Sequence, residues 1–417
     1  MPSKKKKKQE RRAGFMRLPK GSDKILHFTV LALVLFGSVM IVDINVGQTS
    51  SNNMVVITTA IKQVMFVIAG YAAMLFAAKL FEFNWFYKLS KVLAVIMTIA
   101  LILPFFSTEL NGSNAWIYIT IGSQVVSVQP SEFVKPFMIV LIATYVYAAQ
   151  YHKWMRKSAW KMLRVPIICF VIFAIIILAQ RDIGALAILF LICAGAIQPS
   201  GFPKLRKLQI AARAAVLIGF VLVFIGMSPI GLPIVEKMAD LPLLGHIASR
   251  FINAADPTAL DIYGGGYQPS HALYAITSSG IFGLGFGNST RKYGYLTQAD
   301  SDYILAIIIE ELGIFGLLFI TVGYGIIIFR LFRYAFKTSF VPYKIILSGA
   351  AVYLGAHFML NVGGVSALLP LTGVPLLFIS NGGSALVSAF IMMGLCQHVI
   401  AKINTKELAK LDQKTAE

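Results

Sequence analysis

Apolar residues in this chain come in long unbroken runs with brief polar interruptions, rather than alternating with polar ones. Ten such runs lie at about 26–46, 63–80, 91–108, 131–149, 165–179, 182–199, 209–228, 303–329, 343–361 and 380–400. They predict an all-α polytopic membrane protein with about ten transmembrane helices. Three intervening segments are more than simple turns. The first, 109–130, contains Asn111-Gly-Ser-Asn-Ala-Trp116, and the second, 229–302, is a large loop between spans 7 and 8 that carries most of the prolines outside the spans. The third, 362–383, is too apolar for a free loop and too rich in glycine and proline for a regular helix. Irregular backbone at membrane depth is tolerated only inside protein or against a wet cavity, so this segment is expected to be re-entrant and to wall such a cavity. The expected organisation is a basic tail over 1–25, one membrane domain over 26–402 and a short tail over 403–417.

Charge orients this array. Of the 37 Lys and Arg, 30 fall in the N-terminal tail, in 79–91, 153–164, 204–213 and 330–344, and after 400. These segments share one side, which the positive-inside rule makes cytoplasmic, with both termini there and the three unusual segments outside. The other seven are Lys62, Lys135, Arg181, Lys237, Arg250, Arg291 and Lys292. The net charge of +19 does not point to nucleic acid, because no aromatics interleave with the basic runs. Lys4–Lys8 with Arg11 and Arg12 read as a solvated tail able to touch anionic lipid. With 57% hydrophobic and 13% charged residues, an ordinary soluble domain is excluded. The three cysteines have no paired or metal-ligand spacing, and the six histidines form no HExxH pattern, so no zinc site is expected.

Candidate chemistry gathers at Asp300-Ser-Asp-Tyr303, where the long loop runs into an apolar helix of about 40 Å. An acid at the centre of such a segment costs roughly 2.5–3.5 kcal/mol, so its default reading is a site facing protein or water. Asp302 sits at the mouth, where it can stay ionised; the alternative is that Ser301 or Asp302 merely caps the helix. Glu310 and Glu311 lie deeper and cannot both face the same pocket as Asp302, so at least one is expected to hold a neighbouring helix. Gln129-Pro-Ser-Glu132-Phe-Val-Lys135 begins another helix; Glu132 and Lys135 share a face, either as a plain ion pair or with Lys135 as a cation in the external cavity. Gln180-Arg-Asp-Ile-Gly184 is a short hairpin whose bland reading is a surface pair of Arg181 with Asp182. Gly283 to Lys292 is punctuated by glycine, lacks the Walker lysine, and is either a flexible connector or a backbone cradle for phosphate assisted by Arg291 and Lys292.

Taken together these residues resemble the shape, elongation, division and sporulation family of FtsW, RodA and SpoVE. Gln129 to Lys135, Gly285 to Gly313 and Leu368 to Ala385 carry the likeness, with Arg181 to Gly184 and Gly266-Tyr-Gln268 in the expected places between them. The likeness spans nearly the whole chain, and its length and basic extension are nearer the division type, FtsW, than the elongation type. The resemblance implies polymerisation of lipid II into glycan strands at the outer face of the bacterial plasma membrane, at the division septum. It implies a class B penicillin-binding transpeptidase, other divisome membrane proteins and membrane lipids as partners, and no nucleic acid. The essential aspartate of the family falls on Asp302, and its glutamate and lysine fall on Glu132 and Lys135. Candidate substrate contacts are Glu132, Lys135, Arg250, Gln268, Ser289, Arg291, Lys292, Trp116 and Ser384. No cofactor is certain; a divalent cation could share the work, but no ligand set is readable. The chain departs from the pattern at Asp300 (usually histidine), Ala115 (usually arginine), Gln298, Arg181 and Asn381. The alternatives are a lipid II flippase, an elongation-type polymerase and a non-catalytic scaffold.

Overall fold

The computed structural model describes residues 17–48, 53–107, 114–121, 124–241, 245–256 and 266–416. The basic run Lys4–Lys8, the residues Asn111 to Ser113 and the loop portion 257–265 lie outside the described residues. The helices are α1 (Lys24–Gln48), α2 (Asn53–Leu80), α3 (Phe83–Ile102), α4 (Pro130–Tyr151), α5 (Ala159–Ala179), α6 (Ile183–Ala196), α7 (Arg206–Met227), α8 (Leu232–Ala239), α9 (Gly245–Ala255), α10 (Tyr267–Ser278), α11 (Ile304–Lys337), α12 (Val341–Val365) and α13 (Gly383–Ala416). A hairpin of β1 (Ile117–Ile121) and β2 (Gln124–Val128), antiparallel with Ile117 opposite Val128, leads into α4. Among the described residues ten helical segments are long and apolar enough to cross a membrane, and they fall on the ten predicted runs. Helices α2 and α3 begin before their predicted runs, at Asn53 and Phe83, and two helices end well after theirs. Helix α11 continues to Lys337 and α13 to Ala416, because charged residues there can leave the bilayer without ending the helix.

The helices are sorted by what their side chains touch. In α1, Leu26, Val30, Leu33, Ile41 and Ile44 are buried, while Ile25, Phe28, Leu35 and Val46 are equally apolar and exposed. That is the pattern of a helix packed against protein on one stripe and against lipid on the other. Helix α4 is buried almost throughout and forms the centre, packed against α3, α5, α6, α12 and α13. At the other extreme α7 has no buried residue; it packs mainly against α6, the 3₁₀ turn Pro203–Leu205 and the loop helices α8 and α9, and its Gln209 donates to Ile197 O, Gln198 O and Ser200 Oγ.

The long loop after α7 contains three helices: α8 and α9 pack against each other and against α7, and α10 packs against α11 and α12. The loop is pinned to α11 at a break in that helix. Gly313 has φ 60° and ψ −145°, and there the turn 281–285 inserts, with Ile314 N donating to Ile281 O at 3.0 Å and Leu284 N to Glu310 O at 2.8 Å. A Cβ on Gly313 would lie 2.2 Å from Ile281 O, so only glycine permits this approach. Between α12 and α13, residues 366–382 contain no helix, yet Leu376, Leu377 and Ile379 are wholly buried. Ordered side-chain bonds replace the missing helical ones: Ser380 Oγ accepts from Leu376 N and donates to Ser301 O, both at 2.8 Å.

Candidate functional site

The turn before α11 presents its residues to a recess instead of capping the helix. Helix α11 starts at Ile304, its N-cap is Tyr303, and no side chain bonds the first turn. The capping alternative for Ser301 and Asp302 therefore fails. The turn is latched to the irregular segment. Asn381 N donates to Asp300 O at 2.8 Å, Asn381 Nδ2 to the Asp300 carboxylate at 2.6 Å, and Asn361 Nδ2 to Asp302 O at 3.0 Å. These bonds fix the backbone on both sides of Asp302 and leave its carboxylate unused.

Two cavities meet at that carboxylate. A polar one of about 450 Å³ is walled by Trp116, Arg181, Asp182, Asp300, Thr372 and Asn381 among others. A second, of about 290 Å³, is walled by Asn253, Gln268, Pro269, Tyr303, Gly364 and Leu371 among others. Arg250, Gln298, Asp302 and Gly373 belong to both. A third, almost wholly apolar groove of about 250 Å³ runs between α6, α7, α9 and the 369–372 segment, and Arg250 closes its end.

Three acids line the polar cavity, and two are occupied. Asp182 accepts from Ala185 N at 3.0 Å, capping α6, and from Gln129 Nε2 at 2.7 Å. Asp300 accepts from Asn381 and, at 3.4 Å, from Asn45. Among the described residues the Asp302 carboxylate has no hydrogen-bond or ion-pair partner. It keeps some contact with the cavity, but protein surrounds it. That desolvation pushes its pKa up to about 6; Arg250 opposes the rise, and Asp300 and Asp182 add to it. Arg250 Nη1 is buried with no hydrogen-bond partner. An unpaired carboxylate and a guanidinium with an unused donor thus share the junction.

The remaining predicted residues divide. Trp116 and Gln268 are on cavity walls, and Gln268 Nε2 donates to Thr297 Oγ1 at 2.5 Å. Lys135 lines neither of the two cavities. Its Nζ is 2.6 Å from Glu132 Oε1 and 3.2 Å from His357 Nε2, all three residues buried, so the ion-pair alternative describes it. The Nδ1 of His357 faces Pro375 O at 3.0 Å, which ties this trio to the irregular segment behind Asp302. Ser384 Oγ accepts from Gln129 N at 3.2 Å and joins α13 to the start of α4.

The glycine-rich stretch does cradle an anion, and the anion is internal. Gly287 N and Ser289 N donate to Glu311 at 3.0 and 3.2 Å, and Thr290 N and Oγ1 to Glu310 at 3.3 and 3.0 Å, with Ser289 Oγ also on Glu310. Lys292 Nζ reaches Glu311 Oε1 at 2.8 Å and Asp43 Oδ2 at 2.7 Å. Ser289 and Lys292 are therefore spent on a buried cluster away from the cavities. Arg291 Nη1 lies 2.8 Å from His271 Nδ1, with its guanidinium over Tyr274 and Tyr295. Sequence reasoning missed His357 and Asn361; a histidine and an asparagine inside an apolar span were the available signal. Among the described residues no three His, Cys, Asp or Glu are grouped to hold a metal ion.

The comparisons agree on one family. The model of the FtsW, RodA and SpoVE family, described as "Cell cycle protein", matches residues 23–405. The chain is 31% identical over 407 residues to the probable peptidoglycan glycosyltransferase FtsW of Bacillus subtilis, covering 96% of each. It is 29% identical over 342 residues to stage V sporulation protein E of the same organism, covering 81% of this chain and 86% of that one. Among solved structures it is similar to a chain described under structural coordination of polymerization and crosslinking by a peptidoglycan synthase complex, with TM-score 0.65, 20% identity and coverage of 92% and 98%. It is also similar to the rod shape determining protein RodA of Thermus thermophilus, with TM-score 0.58, 21% identity and coverage of 91% and 96%.

Proposed function

The chain belongs to the family of FtsW, RodA and SpoVE, and from that premise we propose that it is a glycosyltransferase that polymerises lipid II into glycan strands. The observation that carries the reading is the Asp302 carboxylate, unpaired where two cavities and an arginine meet. In the transfer, a hydroxyl oxygen of the acceptor sugar bonds to the anomeric carbon of the donor and gives its proton to Asp302. The bond from that carbon to the lipid pyrophosphate breaks, and its electron pair leaves on a phosphate oxygen. Pyrophosphate is already a good leaving group and needs a cation, whereas a sugar hydroxyl needs a base. One carboxylate and one guanidinium therefore suffice, where glycoside hydrolases use two carboxylates. With its pKa near 6, Asp302 is mostly ionised at neutral pH yet more basic than an ordinary aspartate.

Arg250 is the pyrophosphate cation, because it borders both cavities and the apolar groove where a prenyl tail would lie. Trp116 and Gln268 contact sugar. The irregular segment, read as re-entrant, holds Asp302 in place, and Glu132, Lys135, His357 and Ser384 support it from behind. The cavities open outward, with both termini cytoplasmic, at the division septum of a bacterial plasma membrane. A class B transpeptidase cross-links the product and works with other divisome proteins; the likeness to a chain of a peptidoglycan synthase complex supports such a partner.

The test uses purified protein with its transpeptidase and lipid II. Glycan polymer resolved on a gel is the expected product. Movement of labelled lipid II across vesicles with no polymer would instead identify a flippase, and an assembled complex doing neither would identify a scaffold.

A further inference from the structure

The hairpin between α5 and α6 leaves one cation unexplained. Its neighbours are fixed: Gln180 Nε2 donates to Leu101 O at 2.6 Å, Gln180 O accepts from Asn114 N at 3.3 Å, and both Asp182 oxygens are occupied as described. Arg181, between them, does not form the expected pair with Asp182. It is exposed, makes no ion pair among the described residues, and lies on the wall of the polar cavity beside Trp116 and Tyr118. Its backbone has φ 60°, a conformation that residues other than glycine, asparagine and aspartate seldom adopt. A non-glycine residue held there by anchored neighbours invites a functional explanation.

The cavity gives that explanation a direction. Arg181 and Arg250 line the same polar cavity, but only Arg250 also lines the second cavity and the apolar groove. The acids that could neutralise Arg181 from within the cavity are bound elsewhere or reserved for the proton. A guanidinium presents parallel donors suited to a carboxylate or phosphate.

We propose that Arg181 is a substrate-binding residue that grips an oxyanion of the lipid-linked substrate filling the polar cavity. This rests on the lipid II reading and deepens it. Two oxyanions have the required chemistry, the pyrophosphate and a carboxylate of the peptide stem.

The experiment separates binding from chemistry by working in Asp302→Asn, reconstituted in nanodiscs, with equilibrium binding of lipid II as the readout. Arg181→Gly on that background removes the charge and suits the positive φ, so thermal stability should be equal or higher. Its dissociation constant should rise about three- to tenfold, Arg181→Lys should recover part of the loss, and added salt should narrow the difference. Repeating the measurement with a lipid-linked disaccharide pyrophosphate lacking the peptide identifies the group. A gap that persists assigns the pyrophosphate, and a gap that vanishes assigns the peptide carboxylate. Unchanged affinity for lipid II in Arg181→Gly overturns this proposal alone; no binding by the parent protein removes the lipid II reading and this proposal with it.

Discussion

Asp302 and the pair Glu310–Glu311 lie within ten residues of one another, and their surroundings are opposite. Both glutamates are fully buried and bonded to backbone N–H groups, with Ser289 Oγ and Thr290 Oγ1 added on Glu310 and Lys292 on Glu311. Asp302 lies on cavity walls with its carboxylate unpaired. An acid near the membrane is costly in either case. The glutamates offset the cost with donors and hold a loop to a broken helix; Asp302 is left without a partner, as a proton acceptor would be. Burial alone does not separate structural acids from reactive ones, whereas the count of unused donors and acceptors does.

The contrast predicts different failures. Asp302→Asn should lower glycan synthesis by about 10²–10⁴-fold while leaving the protein folded. Its stability should even improve. Burial raises the Asp302 pKa, so ionisation in the folded state is a penalty, absent below about pH 4 and complete above about pH 6. Thermal unfolding of the variant should therefore show a gain on the order of 1–3 kcal/mol at pH 7 that disappears near pH 4. Lys292→Met should do the reverse. It strands Glu311 and Asp43, costs about 3–5 kcal/mol of stability, and leaves activity per folded molecule near wild type, measured by unfolding and by synthesis normalised to monodisperse protein. A folded Lys292→Met that cannot polymerise would break the distinction by returning Lys292 to the site.

Smaller effects sharpen it. Arg250→Gln should cost about ten- to a hundredfold in kcat, with the loss read from single-turnover synthesis. Gly373→Ala should cost about 1 kcal/mol of stability and reduce turnover a few-fold. Gly373 has φ 68°, and an added Cβ would lie 3.5 Å from Asp302 Oδ2; unaltered turnover with intact stability would show that this wall does not position the carboxylate.

Ten spans were legible because lipid leaves the backbone no choice but helix, and each run of apolar residues announces one. Asp302 was legible for a related reason, since an acid at such a helix mouth must be explained. What the sequence withheld was partnership. Lys292 and Arg291 look like free cations, but their partners Asp43 and His271 lie on other elements, and Lys135, beside the local Glu132 that its spacing offers, also meets His357, remote in sequence. The glycines of 283–292 suit a phosphate cradle equally well, and only the position of Glu310 and Glu311 decides what they hold. Arg181 shows the converse, an apparent turn pair whose acid is taken by Gln129.

The central claim is that an unpaired carboxylate with a raised pKa accepts the proton of the incoming sugar hydroxyl. The pH dependence of kcat/KM for lipid II polymerisation tests it most directly, in the wild type and in Arg250→Gln. A rising limb with an apparent pKa near 6 is predicted, falling about tenfold per pH unit below it. The limb should move to higher pH in Arg250→Gln, where the charge opposing protonation is gone. A rate independent of pH between 5 and 7.5, or a limb unmoved by loss of the arginine, would contradict it.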